Sequence, residues 1–508
     1  MKAVRILEQD NVAVVVGPTK AGDGIEGYSV GAMPLVALCD IPQGHKIALK
    51  DLKRGDAIIR YGVLLGYLTE DVRAGGWINE RNLQLPSSPA VSSLKAGKQG
   101  TVCRDLPFRR TWMGYDNGPN LPAGSRNILG ITMSVHCVAG VVRNAVDIIK
   151  RDLLPNYPNV DDVVAVVHPY GCGVAIAADE AFIPIRGVRN MIHHPNFGGQ
   201  ILCVGLGCEK LQMDMILEPE ENNSENVLIL QDCKGYGEMI DRICAMARKK
   251  LEILNARRRV ELPLEKLRIG AQCGGSDAFS GISANPTIGY AFDMLAAGGA
   301  QVLFSEVTEV RDGVHYLADR CQNEASVERL KSEISWYDNY LARSHVDRSA
   351  NPTPGNKKGG LSNIVEKAMG SIAKSGSSPI AEVVGPGEFP KCHGLIFAAT
   401  PASDLGCGSS QLASGIVLQL FSTGRGTPYG LQEIPIYKIC TQHSMKAQWG
   451  DLFDMDAGYV VTGEKTIPQM AHILYSDILD VVSGTKKTAT EKYHLYNDFL
   501  VFNPAPIT

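Results

Sequence analysis

Six short apolar runs in this 508-residue sequence end in clusters, five of them glycine-containing, that carry a thiol, a carboxylate, a hydroxyl or a guanidinium. Val163–Val167 runs into His168-Pro169-Tyr170-Gly171-Cys172-Gly173, and Val204 into Gly205-Leu206-Gly207-Cys208-Glu209. Ala271 is followed by Gln272-Cys273-Gly274-Gly275-Ser276-Asp277, and Phe304 by Ser305-Glu306-Val307-Thr308-Glu309. Ala399 leads to Thr400-Pro401-Ala402-Ser403-Asp404-Leu405-Gly406-Cys407-Gly408, and Phe421 to Ser422-Thr423-Gly424-Arg425-Gly426. In an open parallel sheet, ligands bind beyond the carboxyl ends of the strands. Thiolates with a carboxylate suit a transition metal better than magnesium. Cys172, Cys208, Cys273, Cys407 and Glu306 are therefore candidate metal ligands, and Glu306 can also move a proton. Each cysteine also reads as a small buried hydrophobe, and Glu306 as a helix cap.

Other residues point to anions and proton transfer. The run from Asp347 to Gly360 is rich in proline and glycine and opens into a helix expected over Leu361–Ala373. Lys357 and Lys358 at such a helix start form an anion site, or else a solvated basic loop. Arg348 and Arg425 offer bidentate pairing to carboxylates. His45 lies on a turn in Ile41-Pro42-Gln43-Gly44-His45-Lys46, with Arg60-Tyr61-Gly62 nearby in sequence, and His136-Cys137 precedes a helix. No GxxxxGK[ST] is present, and Gly205-x-Gly207 lacks the third glycine of a dinucleotide fingerprint.

These residues need a scaffold. Residues 1–86 read as short strands separated by glycine, an all-β domain. Residues 87–110 are aperiodic and polar, a linker. Residues 111–262 alternate strand, glycine turn and helix, with helices expected over Val138–Leu153 and Tyr236–Arg257. Residues 263–508 continue the alternation, with strands at 267–271, 301–304, 394–399, 416–421 and 436–439. Such alternation implies a mostly parallel sheet covered on both faces, so the fold class is multidomain α/β.

Composition narrows the class. With 44% apolar and 20% charged residues, the chain is globular rather than disordered. Its net charge of −4 excludes a globally basic nucleic-acid binder. No apolar run approaches a membrane span, and Glu8 interrupts the N-terminus before a signal core could form. Thirteen cysteines without a C-x-x-C argue against a disulfide framework. The expectation is a soluble cytoplasmic protein with no membrane or nucleic-acid partner.

The stretches at 41–46, 130–142, 170–176, 196–211, 272–281, 304–312, 336–361, 398–404 and 423–430 together resemble the galactarate and altronate dehydratase family of sugar-acid dehydratases. Within Gly114–Asn127, the residues Gly124, Arg126 and Asn127 fit the family's pattern. The resemblance implies an N-terminal SAF-type β-clip domain, a middle α/β domain and a Rossmann-like C-terminal domain. It implies metal-dependent dehydration of a sugar diacid, with galactarate first and glucarate or altronate as alternatives, and a divalent metal, usually ferrous iron. A homodimer is expected.

Dehydrating an aldarate removes the proton alpha to a carboxylate and expels the beta hydroxide. On this reading His45, His136 and Glu306 are the candidate acids and bases. Arg60, Arg126, Asn127, Arg348, Lys357, Lys358 and Arg425 are the candidates for holding substrate. Two other readings stand beside it: an iron–sulfur dehydratase using three glycine-flanked cysteines, and a non-catalytic sugar-acid sensor.

Overall fold

The computed structural model describes residues 1–97, 100–101 and 109–507. The first domain is built from short antiparallel strands. Ala3–Val4, Val12–Val15, Lys46–Ala48 and Trp77–Ile78 form one sheet, and Ala57–Arg60, Val63–Leu68 and Leu83–Gln84 another. Val12–Val15 is buried throughout because its side chains alternate between separate cores. Val12 packs with Ile58 and Leu65. Ala13 and Val15 pack with Leu35 and Ile47. Val14 turns outward against Ala278 and Phe279 of the C-terminal domain.

The middle domain holds a four-stranded parallel sheet in the order Asp162–Ala165, Ile128–Met133, Leu202–Gly205, Val227–Ile229. Helices Ala139–Asp152 and Tyr236–Ala256 cover one face. Ile240, Ile243, Ala247, Leu251 and Leu254 form the buried stripe of the second, at helical spacing. Helix Phe182–Ile192 covers the other face, in a core shared with the C-terminal domain.

The C-terminal domain carries seven strands in the order Ile380–Val384, Gly394–Ala398, Gln301–Ser305, Arg268–Cys273, Gln419–Thr423, Ile436–Cys440, Met455–Asp456. Every recorded ladder in it is parallel. Helices Ala284–Ala297, Glu324–Ala342 and Ile467–Val482 cover one face, and Asp404–Ala413 the other. Val227–Ile229, Ile380–Val384 and Met455–Asp456 are among the strands that escape the sequence pattern. Each lies at a sheet edge and has a half-buried position, so the unbroken buried run that marks a central strand is missing.

Of the expected linker, residues 98–99 and 102–108 lie outside the described residues. The described part is docked. Leu94 is buried in the C-terminal core, and Arg311 Nη1 donates to Pro89 O at 2.9 Å. Among the described residues, no helix is long and apolar enough to cross a membrane.

Candidate active site

The carboxyl ends of strands Arg268–Cys273 and Gln301–Ser305 bring Cys273 and Glu306 together, both buried. Cys273 N–H donates to Glu306 Oε2 at 3.2 Å. Lys374 Nζ donates to Glu306 Oε2 at 2.8 Å and to Cys273 Sγ at 3.0 Å. The Cys273 thiol donates to Glu309 Oε2 at 3.0 Å, and Ser371 Oγ donates to the same oxygen at 2.6 Å. Lys367 Nζ pairs with Glu309 Oε1 at 2.7 Å. Glu306 sits at φ 81°, a left-handed conformation that side chains other than glycine rarely adopt. Such strain is tolerated where the surroundings fix it and a function uses it.

The environment sets the two carboxylates apart. Burial, reinforced by Glu309, pushes Glu306 up to about 7. Burial acts on Glu309 in the same direction, but Lys367 and Lys374 overcome it and hold Glu309 down at about 2. Burial and then Glu309 raise the Cys273 thiol to about 12, so it is a neutral donor. Two carboxylates driven in opposite directions are the pattern of an acid–base pair. Behind them, Thr400 Oγ1 accepts from Glu306 N–H at 3.2 Å, and Cys407 is fully buried with its thiol raised by burial and by Glu306. Burial and Glu309 push Asp404 up to about 6. Burial brings Lys438 down to about 8, and its ammonium has no hydrogen-bond partner among the described residues.

The β domain closes over this end of the sheet. Gly44 and Gly360 meet backbone to backbone: a Cβ on Gly360 would stand 2.2 Å from Gly44 O. Lys46 Nζ donates to Gly360 O at 2.7 Å and to both Glu366 oxygens at 2.8 and 2.9 Å. Arg60 pairs with the same buried carboxylate, and its Nη2 reaches Ala278 O at 2.9 Å. Gln43 Nε2 donates to Gln442 Oε1 at 2.7 Å, and Gln442 Nε2 donates to Asp277 at 3.0 Å. His45 is wedged between domains, accepting at Nδ1 from Trp77 at 3.2 Å, with Nε2 3.4 Å from Lys358 O. Burial and then Lys46 lower its pKa, so the imidazole is neutral. The segment 41–46 thus docks one domain on another.

The expected site residues fall into three groups. Cys273, Glu306 and Cys407 share the buried cluster. Arg60, His45 and the backbone of Lys358 lie at the adjoining domain seam. Arg425 lies at the same end, its backbone N–H donating to Gly275 O at 3.0 Å and its side chain exposed. Lys357 is half-buried and Lys358 exposed on the segment covering this end. Arg348 is engaged by Asp312 at 2.7 Å. Elsewhere, Arg126 is held by Glu491 at 2.6 Å, and Asn127 Nδ2 donates to Asn159 O and Leu254 O. Both stand at the amino end of strand Ile128–Met133, away from the strand's chemical end. His136, Cys172 and Cys208 follow strands of the middle sheet rather than of the C-terminal one. A cleft of about 870 Å³ is lined by Arg268 and Gln301 at the opening of their strands and holds none of the expected site residues.

Glu309, Lys367, Ser371 and Lys374 were not anticipated. Their signal is spacing: Lys367, Ser371 and Lys374 stand at i, i+4 and i+7, one face of a helical turn. Such a face reads as solvated, and only the packing shows it to be buried.

Among the described residues, Cys273, Glu306 and Glu309 are the group of three whose ligand atoms all lie within 4.8 Å, a spacing that could hold a metal ion. The donor types suit a divalent transition metal. Each donor, however, already meets a lysine ammonium or a hydroxyl, and an incoming cation would have to displace Lys367 and Lys374. As folded, the group fits proton transfer rather than metal chelation.

A three-domain α/β protein with a strained, high-pKa carboxylate sealed at a sheet end is an acid–base enzyme in design. The chain belongs to the galactarate/altronate dehydratase family. Residues 1–86 match the altronate/galactarate dehydratase SAF domain, 114–255 the D-galactarate dehydratase/altronate hydrolase second domain, and 264–507 the D-galactarate/altronate dehydratase C-terminal domain. The chain is 49% identical to galactarate dehydratase (L-threo-forming) of Escherichia coli (strain K12), over 99% of this chain and 97% of that one. It is 31% identical to altronate dehydratase of the same organism, over 98% of each. The beta subunit of (2R)-sulfolactate sulfo-lyase from Chromohalobacter salexigens is 28% identical, over 76% of this chain and 96% of that one.

Proposed function

We propose that this enzyme dehydrates galactarate to a keto-deoxy-hexarate, with Glu306 as the group that removes the alpha proton. The observation that carries the substrate is the 49% identity to a galactarate dehydratase across nearly the whole chain. What supports Glu306 is its place just after strand Gln301–Ser305, buried at φ 81° beside Lys374, where burial raises its affinity for a proton. A carboxylate poised near the working pH is an efficient base. Lys367 and Lys374 provide positive potential for the developing enediolate, in surroundings that exclude water. Asp404 and Lys438, with proton affinities near neutrality, are the groups at this sheet end able to protonate the departing hydroxide. The enol product then ketonises, and no electrons leave the carbon skeleton.

Lys357, Lys358 and Arg425, all at the rim, are assigned to the two carboxylates of the diacid. Arg60 and Arg348 are committed to Glu366 and Asp312 and hold the rim itself. A cavity of about 10 Å³ lined by Tyr61, Asp277, Glu366 and Lys367 marks the seam. It is far smaller than a hexarate, so the β domain must part from the C-terminal domain for substrate to enter. Ferrous iron is assigned as the metal of the reaction, the cytoplasm as the compartment and a homodimer as the assembly.

The test is anaerobic turnover of galactarate, glucarate and altronate, each with chelator and then with added ferrous iron. Iron-dependent keto acid from galactarate is expected. Product from altronate alone would contradict the diacid reading, and no product from any of the three would overturn the assignment.

A further inference from the structure

Three exposed thiols stand outside the cluster described above. Cys137, Cys172 and Cys208 follow three adjacent parallel strands of the middle sheet, Ile128–Met133, Asp162–Ala165 and Leu202–Gly205. The loops that carry them are tied together. Gly171, at φ +112°, presses so closely that a Cβ there would stand 2.0 Å from Ser134 O. Gly171 O accepts from Lys210 N–H at 3.2 Å and Leu211 N–H at 3.3 Å. The buried Glu209 carboxylate accepts from Ser134 Oγ, from Leu206 N–H at 3.1 Å and from Gly207 N–H at 2.6 Å. Cys137 lies close enough to Cys172 and Cys208 to interact electrostatically with both. It also sits at the start of the 14-residue helix Ala139–Asp152, whose dipole favours a thiolate.

We propose that Cys137, Cys172 and Cys208 are the protein ligands of an iron–sulfur cluster. Thiolates are the ligands such clusters take. A single tetrahedral ion would draw its sulfurs to about 3.8 Å apart, twice a 2.3 Å bond projected on the tetrahedral edge. Among the described residues, these three thiols do not all lie within 4.8 Å of one another. Three protein ligands leave one metal position open, as catalytic metal sites do. Use of that position by the substrate rests on the dehydratase reading; binding of the cluster does not. Glu209 is a positioning residue that joins two of the three loops.

The experiment is anaerobic reconstitution of the full-length protein with ferrous iron and sulfide, followed by desalting. Bound iron and acid-labile sulfide, visible absorbance and the paramagnetic resonance spectrum after reduction are then measured. The wild type is expected to retain on the order of four irons with matching sulfide and a broad sulfur-to-iron absorbance. Cys137→Ser, Cys172→Ser and Cys208→Ser should each lose most of both, while Cys392→Ser, an exposed thiol elsewhere, should retain them. Thermal unfolding of each apo variant identifies any that fails to fold. Iron without sulfide, no chromophore in the wild type, or an unchanged chromophore in all three folded serine variants would each overturn the proposal. None of these readouts requires turnover, so failure here is distinguishable from failure of the galactarate reading.

Discussion

At Glu306 one residue carries two unusual features, a left-handed backbone and a carboxylate raised to about 7. A base must be ionised to work. Below about pH 7 Glu306 is protonated and idle, and above it the base form dominates. Activity should therefore rise through about pH 7. Lys374→Met removes the ammonium that favours the ionised form, so this limb should move to higher pH, read from the kcat/KM profile. The same change leaves Glu306 buried without its partner and should cost about 3–5 kcal/mol of stability by denaturant titration. An unmoved limb would show that Lys374 does not act through Glu306. Glu306 was legible in the sequence because it is an acid directly after an apolar strand. Lys367 and Lys374 were not, because a polar stripe at helical spacing is ordinarily a solvent face. What makes it buried is the docking of that helix on the loop after strand Gln301–Ser305, a contact between residues some 60 positions apart.

The helix Ile364–Ile372 links the site to the β domain. One face presents Glu366 to Lys46 and Arg60, while the next residue, Lys367, about 100° round the helix, meets Glu309. Glu366→Ala would leave two cations buried without a counter-charge. The expected loss is about 3–5 kcal/mol, seen as early release of the β domain in limited proteolysis and as a lowered Tm. Wild-type resistance in this variant would show that the carboxylate is not what holds the domains. Gly360→Ala tests the seam itself. At φ +97° with Gly44 O in the way, it should destabilise docking by on the order of 1–3 kcal/mol. The segment 41–46 drew attention as a possible catalytic turn because it holds a histidine. In the folded chain, Gln43, Gly44, His45 and Lys46 each contact the C-terminal domain, so the conspicuous pattern reflects an interface. Sequence alone could not separate the two, because a docking turn and a catalytic turn both need glycine, a polar ring and a cation.

Across the whole molecule, two parallel sheets end in two different chemistries. The C-terminal sheet ends in carboxylates and ammoniums, and the middle sheet in thiols. The sequence pattern showed that thiols and carboxylates recur at strand ends, but it pooled them into one candidate site. Strand identity cannot say which sheet a strand joins; that follows from pairing between segments far apart in the chain. The all-β N-terminal part and the α/β character of the rest were legible because the first has period-two alternation and the second alternates strand with helix. The account stands or falls on Glu306 as the base of a galactarate dehydratase. The direct measurement is galactarate turnover by the wild type and by Glu306→Gln, side by side, across pH and under the same anaerobic, iron-supplied conditions. The account predicts keto-acid formation rising through about pH 7 in the wild type and a loss on the order of 10²–10⁴-fold in the variant, with the rising limb abolished. A folded Glu306→Gln enzyme with near-wild-type turnover and the same pH profile would contradict it.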